Sequence, residues 1–279
     1  MDWLTDPFAL AFQQRALVAG VLAAVALALV GTWVVIRGMS FLGDALVHGV
    51  IPGIAVAVLF DFNVLIGAAG AALVMMIGIN FVHRQTTFSE DTSIGLLFVG
   101  MLGLGVILIS RTESYLGSIT SILFGDALGV TDSDIVTLIA LVLIALVATL
   151  GFYRSFLVLS FNEQKAELLG LRPRLAHIAL LTLIALSVIG SFRTVGTLLV
   201  FGFLVGPPAT AALVVKRVPM VMTLAALIGA ISVAGGLVVS YHANTSGSAT
   251  MAVFPIALFF IVLVIANRRS RHGHHPLIG

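Results

Sequence analysis

Apolar residues along this chain fall into long unbroken runs. They cover roughly 16–36, 41–60, 63–82, 93–110, 135–153, 175–191, 194–215, 219–240 and 249–266. Several approach or exceed the ~20 residues a helix needs to cross the hydrocarbon core of a bilayer. The period-two alternation of a membrane β-barrel is absent. A further stretch near 114–129 is shorter and more polar, and reads as a tilted helix or a re-entrant piece that must be buried in protein. The pattern predicts an all-α integral membrane protein, a polytopic bundle of roughly 8–10 transmembrane helices. Its core spans 16–266, and neither a soluble domain nor a long linker interrupts it.

Composition agrees. Of 279 residues, 60% are hydrophobic and 9% charged, with a mean hydropathy of +1.18, whereas soluble domains carry about 25% charged residues. Met1–Arg15 begins with acids, Asp2 and Asp6, and lacks the basic start and small-residue cleavage site of a signal peptide. It reads as a short amphipathic lead into the first span. Cysteine is absent, so any metal chemistry falls to nitrogen and oxygen. The net charge of +2 is small and the basic residues are scattered, which argues membrane topology and excludes a nucleic-acid surface.

Topology follows from those basic residues. Arg154, Lys165, Arg172 and Arg174 share one loop, Lys216 and Arg217 another, and Arg268, Arg269 and Arg271 follow the last span. Two spans separate each group from the next, so all lie on one side, the cytoplasm by the positive-inside rule. His242 then faces outward. In the first half Arg37 and Arg84 compete with Arg15 and Arg111, and the side of the first helix stays open. Two glycine groups, Gly95/Gly100/Gly103/Gly105 and Gly229/Gly235/Gly236, are expected to let helices approach closely.

Three features carry candidate chemistry. The first is Asp44 and His48, a carboxylate and an imidazole spaced i, i+4, hence on one helix face. An aspartate near the centre of a span costs roughly 2.5–3.5 kcal/mol on insertion scales. A divalent cation is a chemical reason to keep the pair; a buried hydrogen bond that locks packing is the plainer alternative. Pro52 and Gly53 follow and permit a kink. The second is the polar loop 161–171, where Ala166, Leu168, Leu169 and Leu171 form a short apolar stripe, Glu163, Lys165 and Glu167 stay wet, and Gly170 offers a C-cap. Such a helix either lies on the lipid surface or docks into a partner's groove. The third is Ser191–Ala211, where Gly206-Pro207-Pro208 is expected to interrupt an apolar helix and Arg193 sits at its outer end. Asp126, beside Gly125, and His242 are weaker pathway candidates. The tail 267–279, with His272, His274 and His275, reads as a basic segment on an anionic leaflet.

Together these segments resemble the ABC-3 family of permeases, the membrane subunits of bacterial ABC importers for zinc, manganese and sometimes iron. The resemblance rests on Phe41-Leu-Gly-Asp-Ala-Leu-Val-His48 with Pro52-Gly53, on Leu123-Phe-Gly-Asp126, on Ala166-x-x-x-Gly170, and on Val195-Gly-Thr-Leu-Leu-Val200 with Gly206-Pro207. It spans the chain from about Gln14 to Ala266. It implies a type II ABC importer-like permease in the bacterial plasma (inner) membrane, a homodimer with the pathway between two copies. Two cytoplasmic ATPase subunits would drive it, and an extracytoplasmic binding protein would deliver the metal. Asp44 and His48 would meet the ion; Glu163, Ala166, Glu167 and Gly170, in the 154–174 loop, would couple to the ATPase. Family members often carry an acid where Asn162 stands, and Pro255-Ile256 replaces a more usual Pro-Gly.

The chain has no Gly-x-x-x-x-Gly-Lys-Ser/Thr loop, so ATP hydrolysis would belong to a partner and no resident cofactor is called for. Two competing functions are a proton-coupled secondary transporter, in which Asp44 and His48 relay protons, and a siderophore or cobalamin permease, which would not need the pair.

Overall fold

The computed structural model of the chain describes residues 6–85, 90–110, 129–161 and 171–272. Over these residues the chain is helical. A 3-10 turn, Asp6–Ala9, precedes α1 (Ala11–Ile36), α2 (Ser40–Gly49), α3 (Ile51–Leu59), α4 (Val64–Gln85), α5 (Glu90–Ile109), α6 (Asp132–Gly151), α7 (Tyr153–Phe161), α8 (Pro173–Val195), α9 (Thr197–Val214), α10 (Val218–Ala243) and α11 (Gly247–His272). Among the described residues, eight stretches are long and apolar enough to cross a membrane, with α2 and α3 counted as one; α9 supplies a shorter apolar helix, Val200–Val214. Each corresponds to one of the nine apolar runs. The first helix starts earlier than its hydropathy suggests, so Phe12–Arg15 belong to α1 instead of a separate amphipathic lead.

The central element is α1, which packs against α6, α8, α9 and α10. Small residues make this possible: Ala16, Ala19, Ala23, Ala24, Ala26 and Ala28 are all buried. Gly31 lies so close to α9 that a Cβ would strike the Leu204 carbonyl. At its other end Trp33 is fully buried, edge-on to Tyr153 and Phe156 at ring separations of 5.6 and 5.5 Å. On the opposite flank α2 and α3 pack on α4 and α5.

The two ends of α1 settle the open question of orientation. Near its start, Arg15 Nε lies 3.2 Å from Asp132 Oδ1 at the beginning of α6, and Gln13 shares a hollow with Ser240 and Tyr241 at the end of α10. At its other end, an Arg37 guanidinium N–H faces His177 Nδ1 at 3.3 Å, at the start of α8. Arg37 therefore shares a side with Arg154, Arg172 and Arg174, and through the antiparallel α10 with Lys216 and Arg217. The positive-inside rule assigns that side to the cytoplasm. The first helix accordingly starts outside, and α2 starts at the cytoplasmic side. His242 lies at the outer end of α10.

Two expectations need correction. The Gly206-Pro207-Pro208 segment does not interrupt its helix: α9 runs through both prolines, and the break falls at Gly196, whose φ of 83° suits glycine. Prolines at 207 and 208 remove the N–H groups that would bond to the carbonyls of Phe203 and Leu204. Gly31 of α1 lies against the Leu204 carbonyl, and the Thr210 hydroxyl donates within the helix to the Gly206 carbonyl at 2.8 Å. The glycines also divide differently. Gly235 and Gly236 sit against Phe254 and Met251, and Gly229 against Ala24, as expected; Gly100 and Gly103 have nothing within 4 Å among the described residues.

A candidate metal pathway site

Asp44 and His48 occur on the one open stripe of an otherwise buried helix. Leu42, Gly43, Ala45, Leu46, Val47, Gly49 and Val50 are buried, while Phe41, Asp44, His48 and Ile51 retain accessible surface. The spacing 41, 44, 48, 51 is the i, i+3, i+7, i+10 progression of a single helix face. The buried faces explain the register. Gly43 accommodates the Leu204 side chain of α9, and Gly49 accommodates Met75 of α4. The opposite face, with its carboxylate and imidazole, is left partly accessible.

The pair is close and incompletely joined. His48 Nδ1 and Asp44 Oδ1 stand 3.7 Å apart, and the two side chains keep 24% and 31% of their surface. That separation is an ion-pair contact, about 0.7 Å beyond an ordinary N–H···O distance. Nδ1 is buried and makes no hydrogen bond. Phe98 of α5 lies against the imidazole with ring centroids 6.0 Å apart, and Phe41 meets Phe98 edge-on at 5.5 Å.

Immediately beyond His48 the helix breaks. Val50 caps both α2 and α3, and Pro52 stands in the first turn of α3, where its missing N–H would be unpartnered anyway. Gly53 and Gly67 then bring α3 and α4 into backbone contact, leaving no room for a Cβ on either. The metal candidates thus sit in the first half of the Ser40–Leu59 span, just before the interruption at Val50.

Among the described residues no group of three or more His, Cys, Asp or Glu converges. One copy of the chain therefore offers two donors, a carboxylate and an imidazole, on an accessible face. Borderline divalent cations accept both, and such ions take four or more donors.

The family model described as "ABC 3 transport family" matches residues 9–266. The chain belongs to this family. Among its relatives, the "Manganese transport system membrane protein MntC" of Listeria monocytogenes is 36% identical over 261 residues, covering 93% of this chain and 92% of that protein. A "Probable iron transport system membrane protein" of Haemophilus influenzae is 30% identical over 272 residues, covering 97% and 99%. Among solved structures, "PsaBC from Streptococcus pneumoniae in complex with Fab" superposes with a TM-score of 0.82 at 28% identity, over 94% of each chain. A multi-pass, all-helical permease of the ABC transport class is therefore the architecture of this protein.

Of the other residues singled out in the sequence, His242 stands in the last turn of α10 with its ring edge-on to Tyr241 at 5.2 Å, far along the bundle from Asp44. Asp126 falls within 111–128, and Glu163, Ala166, Glu167 and Gly170 within 162–170, outside the described residues. Phe98 and its neighbour Phe41 were missed. Phe41 was detectable as the i−3 neighbour of Asp44 on one face, but Phe98 lies on another helix in a uniformly apolar run, and nothing in the sequence distinguishes it.

Proposed function

We propose that this chain is the membrane-spanning subunit of an ATP-driven importer of divalent transition metal ions, manganese first, with zinc and iron as the other candidates. The Asp44–His48 pair on the open stripe of α2 carries the reading. Two copies related by a two-fold axis would juxtapose two carboxylates and two imidazoles. Their two negative charges would offset the +2 charge of the ion, and the four donors would replace part of its hydration shell. Such a site must hold the ion loosely enough to release it. Names of the relatives, for manganese in Listeria monocytogenes and iron in Haemophilus influenzae, support this cargo class.

In this reading the whole chain acts as one permease domain of the bacterial plasma membrane. Residues 154–174 form the cytoplasmic coupling loop, in which Glu163, Ala166, Glu167 and Gly170 meet a separate ATPase subunit. An extracytoplasmic binding protein supplies the ion on the His242 side. Nucleotide-driven movement of the loop re-packs the spans and exposes the site alternately to each side.

The test is uptake of Mn(II) into vesicles holding this chain with its ATPase and binding protein. Loss of ATP-dependent uptake in both Asp44→Ala and His48→Ala, with protein amount and assembly intact, is the expected result. Full uptake in both variants would make the pair structural. Uptake by wild type without the ATPase would replace this reading with a secondary transporter.

A further inference from the structure

Within the pair, the two imidazole nitrogens are not equivalent. Nδ1 of His48 is buried, has no hydrogen-bond partner and is turned toward Asp44 Oδ1 at 3.7 Å. The His48 side chain as a whole keeps 24% of its surface, and Nε2 is the ring nitrogen that does not face the carboxylate. Metal-bound histidines show the same division: one nitrogen meets the ion, and the other is held by a carboxylate that fixes tautomer and ring plane. A histidine on an open face would ordinarily sample several rotamers. Here Phe98 lies against the ring with centroids 6.0 Å apart, and Phe41 supports Phe98 edge-on at 5.5 Å. The support comes from two elements, α5 for Phe98 and the start of α2 for Phe41.

We propose that Phe98, buttressed by Phe41, is a positioning residue for the transported ion: it holds the His48 imidazole with Nδ1 toward Asp44 and Nε2 presented to the pathway. Resting on the reading of Asp44 and His48 as ion contacts, this assigns them different tasks. His48 offers Nε2 to the cargo. Asp44 turns Oδ1 toward Nδ1, which orients the ring, and keeps its second oxygen for the ion. The aromatic faces also exclude water from one side of the imidazole, which limits the directions from which an ion can approach.

The experiment compares amide replacements with the removal of the aromatic support, using Mn(II) uptake by the complete transporter. A glutamine amide reaches roughly where Nε2 stands, and an asparagine amide roughly where Nδ1 stands. His48→Gln is expected to retain measurable uptake, and His48→Asn to be as inactive as His48→Ala. Phe98→Leu, which keeps apolar volume but loses the ring, is expected to raise the half-saturating Mn(II) concentration about tenfold with little change in maximal rate. Phe98→Tyr is expected to restore it. Equal or better uptake by His48→Asn than by His48→Gln would overturn the assignment of Nε2, and an unchanged half-saturating concentration in Phe98→Leu would overturn the positioning role. Full uptake in His48→Ala and Asp44→Ala would instead remove the underlying site, a separate and recognisable result.

Discussion

Gly49–Gly53 and Gly206–Pro208 bring the same residue types into two apolar helices, and only the first helix breaks. In the first, α2 ends and α3 begins around Val50, with Pro52 in the opening turn, where it deprives no carbonyl of a partner. In the second, two prolines lie inside α9 and the helix continues, packed against α1 where Gly31 meets the Leu204 carbonyl. Proline decides a break in a membrane helix only where the surroundings leave the backbone without substitutes. The two sites differ in polarity as well. The neighbourhood of α9 is closed and apolar, whereas α2 keeps an open stripe with a carboxylate and an imidazole. One segment is built to stay packed, and the other places polar groups beside an interruption of the helix.

The largest effect is expected where packing substitutes for hydrogen bonding. Gly31→Val would drive side-chain atoms into the Leu204 carbonyl. A backbone oxygen cannot move aside as a flexible side chain would, so the cost should reach about 3 kcal/mol, the upper end for overpacking. It would be read as lost thermal stability of the purified protein or failure to accumulate in the membrane. Wild-type stability would mean that α1 and α9 are not locked together at this crossing.

The polar stripe should behave oppositely. A double variant, Asp44→Leu with His48→Leu, should be at least as thermally stable as wild type, because it removes groups that cost roughly 2–3 kcal/mol in a span. It should transport nothing. A marked fall in melting temperature would instead make the pair part of the packing.

Smaller effects sharpen the contrast between the prolines. Pro207→Ala returns an N–H to the Phe203 carbonyl within a helix already formed, and should change stability by about 1 kcal/mol or less. Pro52→Ala should be equally mild in stability, yet should slow transport several-fold by letting the hydrogen-bond ladder run through Val50 and join α2 to α3; the ratio of transport loss to stability loss is the measurement. Equal transport in both variants would remove any role for the interruption at Val50. Smallest of all, Arg15→Ala breaks a pair whose side chains are 50% and 80% exposed, and should cost about 0.5 kcal/mol or less in a denaturation series.

The spans could be read from the residues because burial in lipid demands long apolar runs, and hydropathy reports that demand directly. Asp44 and His48 stood out for the converse reason: ionisable residues are costly in such runs, and four-residue spacing puts both on one face. Gly196 as the break, the continuity of α9 and the side on which α1 begins were not legible. Each depends on which neighbour reaches a given carbonyl or charge, as Gly31 does for Leu204 and Asp132 for Arg15. Uniformly apolar helices carry little sequence record of their partners, since lipid and a neighbouring helix make nearly the same demand on a side chain. By itself, then, the sequence determined the membrane class, the helices and the two polar candidates. Only tertiary structure decided that those candidates occupy a partly accessible stripe of α2, and that Phe98 from another helix lies against the imidazole, because packing contacts between helices are set by distance in space and not by spacing along the chain.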